Sequence, residues 1–342
     1  MAFWLAIPLG PLLWLMGAIF FDYVHFVLHV MLRSQWRPLR AIAGPHLVHH
    51  EWIDRKLEVQ WEYQRRNIGC HLVLEYVTQL VFTAAVALLL PLPFAIVLAT
   101  LQTLVFAATL RYGGLDLNHK PIAMLDAYCP GSFTPLAPPT YHALHHVYPD
   151  AYYSAYTKLI DILVAGGAQL RGRRAVIQRA QSPLGRALGE VLREQGVTVI
   201  ESDDALDESV FRETDVLLLC DPETDEIPIL ESFIDATQAR QLPPEAWVVH
   251  SRSENPTARH YVDDIRINYR TLVVPDADGL SASRADEAAR RAVSQIRRGF
   301  HYVSSTAFSE RLWGHLRFHA TQPIPPQQAR LVRHRSELLT TS

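Results

Sequence analysis

Ten of the sixteen histidines in this 342-residue chain lie in its first 146 residues, and eight of those ten stand in three tight groups. The groups are His25-Phe-Val-Leu-His29, His46-Leu-Val-His49-His50 and His142-Ala-Leu-His145-His146, with His119 alone between the second and third. On a helix, residues three or four apart share a face. His25 and His29 can therefore turn toward one ion, and in each HxxHH group the first histidine shares a face with both of the others. A single histidine on an apolar face is ordinarily a satisfied core residue. Eight in three clusters would cost stability several times over if they had no common partner.

Groups of two, three and three imidazoles suit two metal ions with several nitrogen ligands each, and His119 raises the donors to nine. Neutral imidazole binds iron, zinc, copper and nickel, not magnesium or calcium. Structural zinc usually takes cysteine as well, but Cys70, Cys129 and Cys220 are far apart and form no CxxC pair. That spacing also argues against a disulfide framework or an iron–sulfur site, and the three read as small buried hydrophobes. A zinc hydrolase needs three protein ligands and a nearby base, fewer groups than are present. A nitrogen-rich pair of irons, with a position open for oxygen, accounts for the count best. Asp22, Glu51, Asp54, Asp150 and Asp161 lie near the clusters. They can accept the second ring N–H of ligand histidines or serve as ordinary solvated and capping carboxylates.

The elements that carry these residues are apolar. Ala2 to Phe21 contains no charge, about the length that crosses a bilayer. No basic segment precedes it and no small-residue cleavage site follows, so it reads as a retained span rather than a signal peptide. A helix from Phe3 to Leu32 would be about 45 Å long, so its last turns leave the membrane. Further apolar runs cover Leu72–Leu90 and Phe94–Leu110, and the break at Pro91 and Pro93 makes them a hairpin. Leu159–Leu170 or Leu115–Leu136 can add a fourth span by dipping into the interface. Basic residues (Arg33, Arg37, Arg40, Arg55, Lys56, Arg65, Arg66, then Arg111, Lys120 and Lys158) flank only one end of the spans. The positive-inside bias puts that end, with the histidines and everything after residue 111, in the cytoplasm and the N-terminus outside. His71, Glu75 and Gln79 make a polar stripe on the second span, which either lines the substrate or metal cavity or is satisfied by a neighbouring helix.

After Gly166-Gly167 the pattern changes. Ala175–Ile177, Val197–Ile200, Val216–Leu219 and Trp247–His250 read as buried strands, separated by helices at Leu184–Glu194 and Ile227–Ala239, which predicts a parallel α/β sheet. The expected fold is an α-helical membrane domain over 1–168, with three to four spans and cytoplasmic histidine-bearing helices. A Rossmann-like domain over 172–322 and a flexible tail over 323–342 follow. Net charge is −3, so bulk charge does not suggest nucleic-acid binding.

A dinucleotide loop would follow the first of these strands. Arg179 and Pro183 stand where its glycines belong and only Gly185 remains. Asp203 and Asp204 follow the second strand, where a ribose-binding acid sits. The only lysines are Lys56, Lys120 and Lys158, so the second domain has no Tyr-x-x-x-Lys pair. No cofactor-binding residue is assigned to it, whether it binds a nucleotide stays open, and it is expected to oxidise or reduce nothing.

With its HxxxH, HxxHH and final HxxHH in order between apolar runs, the chain from about residue 5 to 165, including the Asp161 segment, resembles the fatty acid hydroxylase/sterol desaturase superfamily. That family usually carries a histidine beside an asparagine after the last span, often as His-x-Asn. Here the stretch is Asp116-Leu117-Asn118-His119, so either Asp116 takes the ligand position or His119 serves from a shifted one. Over its whole length the chain resembles bacterial sterol desaturase/short-chain dehydrogenase fusions and plant wax-alkane enzymes. The resemblance implies two non-haem Fe ions held by His25, His29, His46, His49, His50, His119, His142, His145 and His146, with no catalytic group beyond these ligands. It also implies O2 as co-substrate, a lipid substrate from the bilayer, and electrons from a separate cytochrome b5-like or ferredoxin-like donor. The product would be an alcohol or an alkene. The alternatives are removal of the terminal carbon of fatty aldehydes, or a non-catalytic lipid- or nucleotide-sensing membrane protein. The second domain would then dock a partner or shape the cytoplasmic entrance.

Overall fold

A computed structural model of the chain describes residues 2–116, 118–121, 136–137, 139–202, 208–220, 226–237, 244–250, 268–275, 277–300 and 302–305. They fall into two compact units that divide between Gly166 and Gly167. The tail over 323–342, Cys129, Asp203 and Asp204 lie outside the described residues.

In the first unit, α1 (Ala2–Leu32) is apolar almost throughout and continues to the histidine pair at its end. Two short helices follow, α2 (Arg37–Ala43) and α3 (Leu47–Trp52), joined by a 3-10 turn over Gly44–His46. Helix α4 (Gln64–Asn67) runs through a π-helical turn, Ile68–Leu72, into α5 (Val73–Leu89). Pro91, extended, then starts α6 (Leu92–Arg111), where a proline in the first turn costs no hydrogen bond. Three segments are long and apolar enough to cross a membrane: Trp4–Leu32, Trp61–Leu89 and Leu92–Arg111. Their common core is Ala6, Leu13, Val86, Phe94 and Leu98. At the tip of the α5–α6 hairpin Leu88 and Leu89 are 88% and 82% exposed, as lipid-facing residues are. The unit closes with α7 (Pro139–Val147) and α8 (Leu159–Val164). At six residues α8 is too short to span a bilayer, and most of Leu115–Leu136 lies outside the described residues.

The polar stripe on α5 is taken up by neighbours. The Thr83 hydroxyl donates to Gln102 Oε1 (2.5 Å), Gln102 Nε2 to the Gln79 carbonyl (3.2 Å), and Gln79 Nε2 to Glu75 Oε1 (3.2 Å). The Tyr156 hydroxyl also donates to Glu75 Oε1 (2.8 Å). Bonds of this kind are what keep polar groups tolerable inside an apolar span.

The second unit holds a six-stranded parallel sheet in the order β2-β1-β3-β4-β5-β6. Its strands are β1 (Arg174–Gln178), β2 (Thr198–Ser202), β3 (Val216–Leu219), β4 (Glu245–His250), β5 (Asn268–Val273) and β6 (Tyr302–Ser304). Helices α9 (Pro183–Glu194) and α12 (Ala282–Arg297) supply apolar residues to one face. Helices α10 (Glu208–Arg212) and α11 (Glu226–Thr237) supply them to the other. This is a Rossmann-like, doubly wound arrangement. The sequence pattern placed the first four strands. It did not place β5, where Arg270 and Thr271 are buried polar residues among the apolar ones, or the three-residue β6.

Candidate metal centre

The histidine-bearing elements meet at one end of the three apolar helices. His25 and His29 occupy the last turns of α1, His46 ends the 3-10 turn, His49 and His50 sit on α3, and His142, His145 and His146 sit on α7. His119 comes from the loop after α6. All nine are buried except His50, which is partly exposed.

The nine divide into two groups: His25, His29, His46, His50 and His145 in one, His49, His119, His142 and His146 in the other. Within each group the candidate ligand atoms lie within 4.8 Å of one another. The pairs four residues apart, 25/29, 46/50 and 142/146, stay together, and the middle histidine of each HxxHH goes to the opposite group. The first histidine of each HxxHH therefore shares a group with the last one only.

Atomic detail suits the five-histidine group to a cation. His29 Nε2 lies 2.9 Å from His46 Nε2, 3.0 Å from His145 Nε2 and 3.3 Å from His50 Nε2. A neutral imidazole nitrogen has either one proton or one lone pair, so it cannot bond to three other nitrogens. With metal–nitrogen bonds of about 2.1 Å, ligands at right angles sit about 3.0 Å apart, which is this spacing. Buried ring nitrogens with no hydrogen-bond partner carry the same message in both groups: His25 Nε2, His49 Nδ1 and Nε2, His142 Nδ1 and His146 Nε2.

The opposite ring nitrogens are held from behind. His25 Nδ1 donates to the Tyr153 carbonyl (2.9 Å), His145 Nδ1 to the Ala151 carbonyl (2.7 Å) and His146 Nδ1 to the Ile53 carbonyl (2.9 Å). This fixes the tautomer and leaves Nε2 as the free donor atom. His119 Nδ1 donates to the Asp116 carboxylate (2.9 Å), which also accepts the Asn118 and His119 backbone N–H groups at 2.7 Å each. His119 Nε2 faces His142 Nε2 at 3.1 Å. The two alternatives at this stretch thus have different places: the His119 ring stands in the group, with Asp116 behind it.

The five acids named from the sequence orient no histidine directly. Asp54 caps its own loop through the N–H groups of Lys56 and Glu58, Asp150 pairs with Arg33 at 3.3 Å, and Glu51 lies 4.0 Å from Arg66, the last two pairs on the surface. Asp22 and Asp161 act one step further out, on the loop between α7 and α8 that supplies two of the accepting carbonyls. Asp22 accepts the backbone N–H groups of Ala155, Tyr156 and Thr157 (2.9–3.4 Å). Asp161 accepts those of Tyr153 and Ser154 (2.9 Å each) and the Tyr141 hydroxyl (3.0 Å). Tyr152, between the two carbonyl residues, has φ 58, a costly conformation for a bulky residue that the surrounding bonds impose. Gly166 is required beside it: a Cβ there would lie 2.6 Å from Asp161 Oδ1 and 2.9 Å from the Tyr153 ring.

Burial sets the charge state. Desolvation first, then neighbouring histidines, holds His46, His49, His50, His142 and His145 well below the ordinary imidazole value. His146 is lowered to about 3 by burial and the charge of His119, partly offset by the Ile53 carbonyl. These rings are neutral at physiological pH, as ligands must be. His119 shifts the other way: burial lowers it, but the charge and hydrogen bond of Asp116 more than compensate and raise it above the ordinary imidazole value.

His71 belongs to the same cluster and was not among the nine. Its ring is buried, stacks on His49 at 3.7 Å between centroids, and brings Nδ1 within 3.3 Å of His46 Nδ1. Its signal in the sequence was only its place on the polar stripe with Glu75 and Gln79.

In the second unit the turn after β1 is closed on itself. Arg179 has φ 56, the Ser182 hydroxyl accepts the Gly185 N–H (3.0 Å), and a Cβ at Gly185 would lie 2.6 Å from the Arg179 carbonyl. The amide a phosphate would use at this helix start is thus taken by the chain's own serine.

No protein-family model matches this chain, and no curated protein gives a significant match. Among solved structures, a short-chain dehydrogenase from Burkholderia cenocepacia J2315, crystallised with NADP, is similar at 15% identity, over 44% of this chain and 94% of its own, with a TM-score of 0.32. A likeness at that level says nothing of ligand or activity.

Proposed function

We propose that this chain is a membrane-embedded, O2-dependent di-iron oxidoreductase that hydroxylates or desaturates a lipid. The observation that carries the proposal is the division of nine imidazoles into groups of five and four, each with ligand atoms within 4.8 Å, at one end of three membrane-length helices. The fit is to nitrogen-loving transition metals, since no thiolate or carboxylate stands in either group. A bound iron pair would supply O2 activation and removal of hydrogen from an unactivated C–H bond.

The chain's own residues do the rest. His25, His145 and His146 keep their ring protons on Nδ1, against carbonyls, and present Nε2 lone pairs. Asp116 raises the donor strength of His119 from behind. Burial of the cluster excludes bulk water, and α1, α5 and α6 bring the site to the edge of the bilayer, where a lipid tail can reach it. The bias of the flanking basic residues supports a cytoplasmic setting for that edge, where a cytochrome b5-like or ferredoxin-like donor would deliver electrons. The Rossmann-like unit, in this reading, docks a partner or shapes the approach to the site.

The test is lipid analysis by mass spectrometry of cells expressing the wild-type chain or His145→Ala. New hydroxylated or unsaturated lipids with the wild type, reduced by at least about 100-fold in the variant, are expected. Identical lipid profiles would contradict the proposal, and shortened alkanes would move the reaction to aldehyde deformylation.

A further inference from the structure

Four of the candidate ligands have an identified group behind them, a carbonyl or a carboxylate. His46 and His49 do not. His46 Nε2 points at His29 Nε2 (2.9 Å), and its other nitrogen meets only His71 Nδ1, at 3.3 Å. Neither ring nitrogen of His49 has a hydrogen-bond partner. Its closest ring neighbour is His71, nearly parallel at 9° with centroids 3.7 Å apart. One residue therefore backs a member of each group: His46 in the five-histidine group through a hydrogen bond, His49 in the four-histidine group through its ring face.

The backbone at His71 fits such a role. It lies in the π-helical turn Ile68–Leu72, and π-turns inside helices are frequent at functional sites. The edge of Phe21 on α1 closes the ring in from another side, with centroids 5.7 Å apart.

We propose that His71 is a positioning residue shared by both metal sites, an inference that rests on the metal reading above. With His46 Nε2 serving as a ligand, His46 carries its proton on Nδ1 and donates it to His71 Nδ1. His71 accepts there and, as a neutral imidazole, carries its own proton on Nε2, a buried atom with no hydrogen-bond partner among the described residues. The two roles separate chemically. Asparagine can place its carbonyl oxygen near the position of Nδ1 but has no ring, so His71→Asn keeps the acceptor and loses the stack. Phenylalanine keeps the stack and loses the acceptor.

The experiment loads full-length wild type, His71→Asn and His71→Phe with 57Fe in detergent, then records Mössbauer spectra and the rate of iron loss to a chelator. His145→Ala and His142→Ala assign the signals to the five- and four-histidine groups. His71→Phe is expected to alter the five-histidine signal and speed loss of that ion by about 10- to 100-fold, leaving the other near wild type. His71→Asn is expected to do the reverse. Two variants with wild-type spectra and release rates would overturn the inference. So would two variants that lose the same ion to the same extent, which would make His71 a ligand or a mere packing residue. A wild-type chain that takes up no iron would instead overturn the metal reading itself.

Discussion

Below about pH 6.5 a histidine in an unfolded chain takes up a proton, yet burial keeps His46, His49, His50, His142, His145 and His146 neutral well below that value in the folded protein. The unfolded state therefore binds more protons, and stability must fall as pH drops from about 6.5 toward the lowered folded-state values, for His146 about 3. His119, raised by Asp116, contributes in the opposite direction and loses its contribution as pH rises. With six lowered rings opposed by His119 and by Asp161, whose carboxyl burial raises, the metal-free protein in detergent is expected to melt progressively lower from pH 7 to pH 5. Each group adds at most about 1.4 kcal/mol per pH unit. An unchanged melting temperature over that interval would show that the rings are not buried as neutral species. At this scale the sequence was informative where spacing is local. The 25/29, 46/50 and 142/146 pairs follow from helical periodicity. The crossing of His49 and His145 to the opposite group does not, because it depends on how α1, α3 and α7 face one another. His71 stood on a polar stripe with Glu75 and Gln79 that could line the substrate or metal cavity, but nothing in its spacing linked it to His46 or His49.

At the scale of elements, the loop between α7 and α8 acts as a ligand holder made of backbone. Its Ala151 and Tyr153 carbonyls orient His145 and His25, and Asp22 and Asp161 clamp its amides. Gly166→Ala puts a methyl group 2.6 Å from Asp161 Oδ1 and should displace that clamp. The expected result is loss of metal affinity by about 10-fold or more, read by equilibrium competition with a chelator, while circular dichroism stays near wild type. Wild-type affinity in Gly166→Ala would remove the loop from the account. The three membrane-length helices and the α5–α6 hairpin were legible from charge-free runs and paired prolines. The carbonyl acceptors were not, because every residue has a carbonyl and only the fold selects which one faces a ring. That is also why the sequence left open whether the nearby acids orient histidines or serve as ordinary solvated and capping carboxylates.

At the scale of the whole molecule, the two units make different demands on their sequences. The sheet unit is organised around apolar strands and a buried ionic cluster. Glu245 accepts from Arg173 Nη1 (2.5 Å), Arg270 Nε (2.9 Å) and Trp247 Nε1 (2.9 Å). Removing the carboxylate in Glu245→Ala leaves buried guanidinium groups unpaired and should cost about 3–5 kcal/mol, measured by thermal or denaturant unfolding. A loss below 1 kcal/mol, roughly the value of a surface pair, would contradict this placement. With Arg179 in the turn and Ser182 on the Gly185 amide, the full chain is expected to show no saturable NADPH binding by fluorescence titration. Saturation at micromolar NADPH would reverse the reading of this unit. The proposed chemistry requires two ions held by the first unit's histidines. Metal analysis of protein purified from iron-supplemented cells, paired with Mössbauer spectroscopy, tests it most directly. Two irons per chain in nitrogen-rich sites, falling to at most one in His145→Ala, is the predicted result. Protein that carries only zinc or no metal, or that keeps both irons in His145→Ala, would contradict it.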